Sequence, residues 1–286
     1  EFKPPRINSQ GIDFSDKNAL ASLKKTITPL LQTHLNVLPP AASLLIHNPA
    51  ELQEIVGGIV VDTEKSLEQK VQQAQQVFPE WSNTDISKRC EYLNLLADKL
   101  EANQAELILL CVKEAGKTVT DSQSEVREAV DFCRYYACLA TQLFESHSVK
   151  SRGIVLCISP WNFPLAIFVG QLAAALVTGN TVLAKPAEQT SLIALRIVEL
   201  MYETGIKKEV IQLVLGSGLP IGERLVPDER IQGIMFTGSC ETAIWINQTL
   251  ANRADNNIPF IAETGGQNAM IVDSTVLLEQ LVDDII

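Results

Sequence analysis

The pattern of apolar and polar positions divides the chain into two parts. Between Asp62 and Glu145, apolar side chains recur at three- and four-residue steps, which is the spacing of amphipathic helices. A helix cap is predicted at Asp62 or Thr63, and a helix stop at Gly116. This part is therefore expected to be a succession of helices that bury their apolar faces against each other.

From Gly153 onward the pattern changes to short apolar runs that alternate with helical segments. The runs are GIVLCIS, TVLAK, VIQLVL and IQGIMF. Helices are predicted between them, one opening at Pro164 and another near Thr190 or Ser191. Continuous apolar strands separated by helices are typical of a parallel sheet that is covered on both faces. The predicted fold class is therefore α/β, with a helical segment ahead of a parallel sheet.

Two further regions flank these parts. The N-terminal region predicts a connector or arm, because a Pro-rich lead, FKPPR, precedes a helix start at Asp13 or Ser15. The run ELQEIVGGIV, which follows it, predicts two short strands around Gly57 and Gly58. At the other end of the chain, a helix is predicted to begin at Ser274.

The composition indicates which classes of ligand the chain is suited to bind. The chain has 286 residues and is 46% hydrophobic, which is enough for a substantial core. Its 23 Lys and Arg residues against 34 Asp and Glu give a net charge of −11, and no basic cluster is present. This balance argues against nucleic acid or an anionic membrane surface as a partner, and favours a small molecule. Charged positions on the predicted helices are interpreted as solvated; they are Lys88, Arg89, Glu125 and Arg127.

Neither a membrane span nor a signal peptide is predicted. The longest nearly uncharged stretch, 153–184, is interrupted by proline and asparagine, so it is interpreted as strand, helix and strand. The six cysteines form no C-x-x-C pair and show no zinc spacing. We therefore expect a reducing, cytoplasmic environment and no metal site.

Each of the four apolar strands is followed by a loop of unusual composition. The loops are SPWNFP, KPAEQT, GSGLPIG and TGSCET, in chain order, and a fifth motif, ETGG, follows the next apolar run. In an open parallel sheet, ligands bind beyond the carboxyl ends of the strands. We therefore expect these loops to lie along one edge of the sheet, at a ligand site.

Three of the motifs allow a functional and a plain structural interpretation. Asn162 lies between two aromatic residues and two prolines, a rigid setting that suits either an amide donor aimed at developing negative charge or a structural turn. Lys185 and Glu188 suit the hydroxyls of a ribose, or form a surface ion pair. Ser239 suits a phosphate at a helix N-terminus, or serves only as a helix cap.

The other two motifs leave a similar choice. Gly216, Gly218 and Gly222 follow a strand as in a dinucleotide-binding loop. The spacing is one residue longer than the fingerprint and Pro220 intrudes, so a tight turn into a short helix is the preferred interpretation. Glu263 precedes paired glycines, an arrangement that forms an ordinary turn or holds a catalytic base against a ligand.

In this order, the five motifs resemble the motif set of the aldehyde dehydrogenase superfamily, from about residue 48 to the C-terminus. The resemblance implies a Rossmann-like parallel sheet of the aldehyde dehydrogenase type, with NAD as the cofactor and a small-molecule aldehyde as the substrate. It assigns Asn162 to the oxyanion hole and Glu263 to the general base. The positions that it assigns to the cofactor are Ser159, Trp161, Lys185, Glu188, Gly218 and Ser239.

The family reaction implies a further group and a division of the chain. In that reaction a cysteine thiolate attacks the aldehyde, and the general base activates the water that cleaves the resulting thioester. The cysteine lies downstream of ETGG in the family, and none of the six cysteines here has its context. We therefore expect a fragment that does not turn over aldehyde alone. Its predicted parts are a connector (1–47), an NAD-binding domain with N-terminal helices (48–258) and the beginning of the catalytic domain (259–286).

A narrower resemblance concerns ETGGQNAMIVDST, which carries Thr264 and Gln267, and the segment GIDFSD. Both resemble the aldehyde dehydrogenase half of the bifunctional proline utilization A family, a branch that tolerates Ala243 where glycine is common. This implies NAD-dependent oxidation of L-glutamate γ-semialdehyde, in equilibrium with pyrroline-5-carboxylate, to glutamate. It also implies an upstream FAD-dependent proline dehydrogenase domain as partner. For the whole protein we expect a homo-oligomer with peripheral membrane association.

Three alternatives stay open. The first is a separate, monofunctional pyrroline-5-carboxylate dehydrogenase, and the second is a dehydrogenase for another semialdehyde, such as succinate semialdehyde. The third is a dinucleotide-binding fragment without catalysis. The choice of cofactor depends on Glu188, because its carboxylate would repel a 2′-phosphate and so favours NAD over NADP.

Overall fold

The structure is a computed structural model in which residues 6–32, 39, 41–255 and 257–285 are described. The N-terminal part of the described chain contains one helix and one β-hairpin. Their elements are α1 (Lys17–Gln32), β1 (Leu44–Asn48) and β2 (Glu51–Ile59). The two strands pair antiparallel across a turn at Pro49 and Ala50.

The predicted pair of short strands around Gly57 and Gly58 is wrong, because β2 runs through both glycines. Gly57 pairs with Ile46 of β1, and Gly58 pairs with Leu45. A Cβ atom at Gly57 would lie 2.8 Å from Cδ1 of Leu192, which is closer than packed carbon atoms allow. Glycine here permits close packing of the strand and does not mark a turn.

Four helices follow the hairpin, as the periodicity of this part of the chain predicts. They are α2 (Glu64–Ser82), α3 (Ile86–Ala102), α4 (Gln104–Ala115) and α5 (Val119–Ser146). Thr63 caps α2: its side chain accepts the N–H of Ser66, and the Ser66 side chain accepts the N–H of Thr63. α4 ends at Gly116, which adopts a φ of 66°. Both predicted helix ends are confirmed.

A five-stranded parallel sheet forms the second part of the fold. Its strands are β3 (Ile154–Ile158), β4 (Thr181–Lys185), β5 (Ile211–Leu213), β6 (Ile231–Thr237) and β7 (Phe260–Glu263). The strand order is β5-β4-β3-β6-β7, and all neighbouring strands are parallel. The chain crosses from β5 on one side of β3 to β6 on the other. This confirms the predicted α/β fold and puts the topological switch point between β3 and β6.

Helices cover both faces of this sheet. They are α6 (Ala166–Val177), α7 (Ser191–Glu203), α8 (Gly218–Leu225) and α9 (Cys240–Ala251), and α10 (Leu278–Ile285) lies near the C-terminus. Alternate residues of β3 enter two different buried clusters: Val155 and Cys157 pack with residues of α5, α6 and α7, whereas Ile154 and Leu156 pack with residues of α2, α8 and α9. The central strands β3 and β4 are largely apolar because both of their faces are covered, whereas the edge strand β7 is mostly exposed.

The interpretation of charged helix residues as solvated is only partly correct. Lys88 and Arg127 are exposed, but Arg89 and Glu125 are each only 2% exposed. Arg89 is buried because its guanidinium donates to the main-chain oxygens of Val177, Ser82 and Thr84. A buried charge of this kind is tolerated because its hydrogen bonds replace those to water.

The segment after β7 packs little against the rest of the molecule, and α10 contains no buried residue. α10 begins later than the predicted start at Ser274, because Asp273 accepts hydrogen bonds from Thr275 and forms a turn there. β7 lies beyond the predicted domain boundary at 258 but pairs with β6 in the main sheet. The division of the chain into three parts therefore stays a prediction.

Two kinds of feature are absent from the described ranges, a membrane-spanning helix and a cluster of metal-ligating side chains. No helix in them is both long and apolar enough to cross a bilayer. They also contain no group of three or more His, Cys, Asp or Glu side chains with the arrangement of a metal site.

Candidate functional site

A cleft opens at the carboxyl ends of the parallel strands. Its volume is about 1070 Å³, and its walls are the loops that follow β3, β4, β5, β6 and β7. Eight residues selected from the sequence line it: Ser159, Trp161, Asn162, Lys185, Glu188, Gly218, Ser239 and Glu263. The structure thus brings the five motifs together at the edge where a doubly wound sheet binds its ligands.

The loop after β3 places one buried and three exposed side chains at the cleft. Trp161, Asn162 and Phe163 are exposed, and the Asn162 amide makes no hydrogen bond with any described residue. Ser159 is only 4% exposed, and its main-chain N–H donates to the oxygen of Lys185 at 3.1 Å. Its Oγ is buried and has no hydrogen-bond partner within the described ranges. A hydrogen bond from a polar ligand atom would compensate the free-energy cost of burying this unpaired hydroxyl.

An ion pair between α5 and the segment before it holds the loop after β3 by hydrogen bonds to its backbone. The Glu125 carboxylate, on α5, accepts the main-chain N–H groups of Leu165 and Ala166 at 3.1 and 2.9 Å, and so caps the N-terminus of α6. Lys117 lies 2.7 Å from the other carboxylate oxygen. The same ammonium donates to the main-chain oxygen of Asn162 at 2.8 Å. We call this unit the Lys117–Glu125 pair.

β4 ends in a buried lysine, which forms an ion pair with a partly exposed glutamate of the following loop. Lys185 is 3% exposed, and its Nζ donates to the oxygen of Pro186 at 2.7 Å and lies 3.9 Å from Oε2 of Glu188. Burial lowers the pKa of Lys185, and the nearby carboxylate opposes that effect. An ammonium has three protons to donate, so Lys185 keeps donor capacity for a ligand oxygen at the cleft.

The helix that follows this loop is capped by a residue from a distant part of the chain. Glu114, on α4, accepts the N–H groups of Leu192 and Ile193 at 2.7 and 2.9 Å. The predicted caps, Thr190 and Ser191, do not bond the first turn of α7. Burial raises the pKa of Glu114 to about 8, and the two N–H groups act in the opposite direction.

The turn after β6 leads directly into α9. Ser239 is the N-cap, and its Oγ accepts the N–H of Thr242 at 3.1 Å. The cap interpretation therefore describes its geometry, yet Ser239, Cys240, Glu241 and Thr242 also line the cleft. Since glutamates cap α6 and α7, this helix N-terminus is available to an anion in the cleft in a way that those two are not.

The glycine-containing loop after β5 forms the tight turn that the sequence favours. Gly216 adopts a φ of 139°, and the eight-residue α8 begins at Gly218. A Cβ atom at Gly218 would meet no described atom within 4 Å. Gly218 lines the cleft, so its lack of a side chain leaves space for a ligand there.

Glu263 ends the edge strand β7 with an exposed side chain at the cleft. Its main-chain position is fixed, because it pairs with Thr237 in the sheet and its oxygen accepts the N–H of Gly238 at 3.1 Å. The general base and the pyrophosphate turn that the sequence predicts are therefore joined by the backbone of neighbouring strands. Thr264 and Gly265 continue the wall of the cleft after it.

The cysteines differ sharply in their access to the cleft. Cys157 lies within β3, fully buried, and burial raises its pKa far above the usual range; burial also raises the pKa of Cys133 to about 12. Cys240 is exposed and lines the cleft, with its Sγ 3.6 Å from the oxygen of Gly265. Buried thiols of this kind stay protonated and are poor nucleophiles.

Comparison with known proteins defines the class to which this cleft belongs. The model of the aldehyde dehydrogenase family matches residues 40–286, so the chain belongs to that family. It is 45% identical, over 98% of its length, to the bifunctional protein PutA of Salmonella typhimurium, of which it spans 22%. It is 33% identical, over 93% of its length, to 1-pyrroline-5-carboxylate dehydrogenase 2 of Bacillus subtilis, of which it spans 56%.

Solved structures give the same relationship. A crystal structure of bifunctional proline utilization A superposes with a TM-score of 0.87 at 41% identity, covering 99% of this chain and 28% of that one. A 1-pyrroline-5-carboxylate dehydrogenase superposes with a TM-score of 0.85 at 26% identity, covering 92% and 56%. The predicted fold and family resemblance are confirmed, and this chain spans between about a quarter and just over half of these structures.

Three residues with clear structural roles at the site escaped the sequence analysis. Glu125 was interpreted as solvated, and Glu114 and Lys117 were given no role. The available signal was weak: each is a charged residue close to an apolar helical run, in LILLCVKEAGK or in SEVREAV. Only the tertiary structure shows that their partners lie in the loops of the sheet.

Proposed function

We propose that this chain is the cofactor-binding portion of a dehydrogenase that oxidises L-glutamate γ-semialdehyde, in equilibrium with pyrroline-5-carboxylate, to glutamate with NAD. One observation carries the proposal: all eight residues chosen from the sequence lie on the wall of one cleft at the switch point of the sheet. The substrate is proposed from the similarity to relatives that are pyrroline-5-carboxylate dehydrogenases and bifunctional PutA proteins.

The cleft contains groups that fit a dinucleotide. Lys185 has ammonium protons to spare, and the buried Ser159 hydroxyl lacks a partner within the described ranges. We propose that Lys185 and Glu188 hold the hydroxyls of the adenosine ribose, and that Ser239 and the N-terminus of α9 hold the pyrophosphate. Trp161 and Gly218 would form the walls beside it.

The proposed chemistry assigns separate tasks to Asn162 and Glu263. NAD, when bound, supplies the acceptor for the hydride that leaves the substrate. The Asn162 amide has no hydrogen-bond partner in the described part of the chain, so it is available to donate to an oxygen on which negative charge develops. The exposed Glu263 carboxylate would accept a proton from the water that releases the acid product.

The thiol nucleophile of the family reaction needs a different residue from the cysteines described above. The thiols of Cys111, Cys133 and Cys157 are buried with raised pKa values, and Cys240 belongs to the turn proposed for the pyrophosphate. We propose that the nucleophile belongs to the region in which the relatives are longer than this chain. The upstream FAD-dependent proline dehydrogenase, the homo-oligomer and the cytoplasmic location stay predictions.

Titration calorimetry with NAD and NADP tests the cofactor proposal directly. We expect NAD to bind more tightly, because a 2′-phosphate would lie against the Glu188 carboxylate. Lys185→Ala should weaken NAD binding by about tenfold, the order expected for loss of a hydrogen bond from a charged donor. Glu188→Gln should reduce the preference for NAD over NADP.

The matched control is Lys65→Ala, which removes an exposed lysine of α2 outside the cleft. This variant should bind NAD like the unmodified chain. Equal affinity for NAD and NADP, or equal loss of binding in the Lys65 and Lys185 variants, would contradict the proposal.

A further inference from the structure

The loop that carries Asn162 is held at several points by a single charged unit. Lys117 Nζ donates to the main-chain oxygen of Asn162 at 2.8 Å and lies 4.5 Å from the centre of the Phe163 ring. Glu125 accepts the N–H groups of Leu165 and Ala166. The Lys117–Glu125 pair therefore fixes the backbone of this loop at Asn162 and again at the start of α6.

The location of the pair separates it from the ligand-binding groups. Lys117 and Glu125 do not line the cleft, and their side chains are 14% and 2% exposed. Asn162, in contrast, lines the cleft with an exposed side chain. The backbone from which that side chain extends is bonded to Lys117 through the Asn162 oxygen, so the pair sets the position of the amide.

The two members of the pair depend on each other. A buried carboxylate without a counter-charge is costly, so Lys117 compensates the charge that Glu125 brings to the N-terminus of α6. The ammonium lies 2.7 Å from the Glu125 carboxylate, donates to the Asn162 oxygen and lies 4.5 Å from the centre of the Phe163 ring. Loss of the cation would free the Asn162 carbonyl and leave the aromatic ring without its charged neighbour.

We propose that Lys117 is a positioning residue: together with Glu125 it orients the Asn162 amide for the developing negative charge of the reaction. This inference rests on the proposed function, and it adds a determinant that does not touch the substrate or cofactor. Small displacements of a group that stabilises a transition state reduce turnover strongly while leaving binding elsewhere in the cleft intact.

The first test compares turnover in the dehydrogenase of which this chain is proposed to be a portion. Lys117→Met keeps the length of the side chain but removes the charge, and we expect kcat to fall by between tenfold and a hundredfold, on the order that misplacement produces. The KM for NAD should change less than about twofold, because Lys185 and Glu188 are untouched. Lys117→Arg, which keeps the cation, should recover most of the loss.

A double variant separates positioning from stability. Lys117→Met with Glu125→Gln leaves no unpaired buried charge, so its melting temperature should return toward that of the unmodified protein while kcat stays low. Lys113→Met is the matched control, because Lys113 is a paired lysine near the end of α4 whose partner is Glu54, away from this loop. The control should keep normal kcat. Recovery of kcat in parallel with stability in the double variant would overturn the proposal.

A spectroscopic test on the chain itself does not depend on activity. The protein contains three tryptophans, so fluorotryptophan labelling gives three fluorine resonances, and Trp161→Phe assigns the one in the loop. The Trp161 resonance should shift or broaden in Lys117→Met and not in Lys113→Met. An unchanged Trp161 resonance would refute the positioning role. If the dehydrogenase of which this chain is proposed to be a portion oxidises no aldehyde, the proposed function fails, while the resonance comparison on this chain still decides the role of Lys117 in ordering the loop.

Discussion

The junction between β3 and α6 and the junction between β4 and α7 are built on the same plan but differ in charge compensation. In each, a buried glutamate from the helical segment accepts two N–H groups at the start of the helix: Glu125 at α6 and Glu114 at α7. Glu125 has Lys117 at 2.7 Å. For Glu114, no ion pair occurs within the described ranges, and burial raises its pKa to about 8.

The two junctions differ in the position of their lysine relative to the buried glutamate. At β3–α6 the compensating cation also reaches the backbone of Asn162, so charge balance and loop geometry are controlled by the same ammonium. At β4–α7 the lysine of the loop, Lys185, lies at the cleft and is not bonded to Glu114. The cation of one junction thus compensates the buried glutamate, whereas the cation of the other lines the cleft.

The comparison of the two junctions predicts its largest effect for Glu114: the free energy of unfolding should depend on pH because this carboxyl titrates. Its folded-state pKa of about 8 lies above the ordinary 4.5, so its contribution is complete below pH 4.5 and is lost as the pH rises through 8. At about 1.4 kcal/mol per pKa unit, the free energy of unfolding should fall by on the order of 4 kcal/mol.

Urea denaturation between pH 5 and 8.5 measures this, with Glu114→Gln as the comparison. The glutamine variant should lack the descending component, because its amide does not titrate. Parallel pH profiles for the two proteins would show that Glu114 keeps the same protonation state in the folded and unfolded chains.

The second effect comes from removing the compensated carboxylate. Glu125→Ala leaves two N–H groups of α6 without acceptors and Lys117 without its counter-charge, so we expect a loss of about 3 kcal/mol in the free energy of unfolding. Glu145→Ala, at an exposed position of the same helix, should change it by less than about 0.5 kcal/mol. A similar loss in both variants would mean that helix propensity, not the junction, is being measured.

The smallest expected effect is the loss in free energy of unfolding when an exposed helix cap is removed. Thr63→Ala removes the exposed capping box of α2, and a loss of about 1 kcal/mol is expected in the same urea experiment. Thr120→Ala, an exposed threonine in the first turn of α5 that does not cap it, is the control. If Thr63→Ala cost as much as Glu125→Ala, the buried junctions would have no special importance for stability.

Much of the fold follows from local patterns. The capping box at Thr63 and the helix end at Gly116 depend on residues within a few positions of each other, so the sequence shows them directly. The convergence of the five motifs was also predictable, because parallel strands bring their carboxyl ends to one edge. Gly57 was misjudged because the reason for a glycine there is Leu192, which belongs to another element.

The supports of the site could not be predicted for the same reason. Glu125 bonds Leu165 from 40 positions away, and Glu114 bonds Leu192 from 78. An acidic residue on a helix is indistinguishable from a solvated one until the element above it is known. The residues that line the cleft were therefore recognisable by motif, whereas those that hold the loops were visible only in three dimensions.

The long-range caps have a consequence for how the molecule folds. The first N–H groups of α6 and α7 bond to water until α4 and α5 have docked against the sheet, since their protein acceptors belong to those helices. Sheet and helical segment are thus coupled in a single cooperative unit, and the loop closures between them must precede the gain from the contacts. The proposed cofactor cleft would appear only late, once chain segments synthesised first have met those synthesised after them.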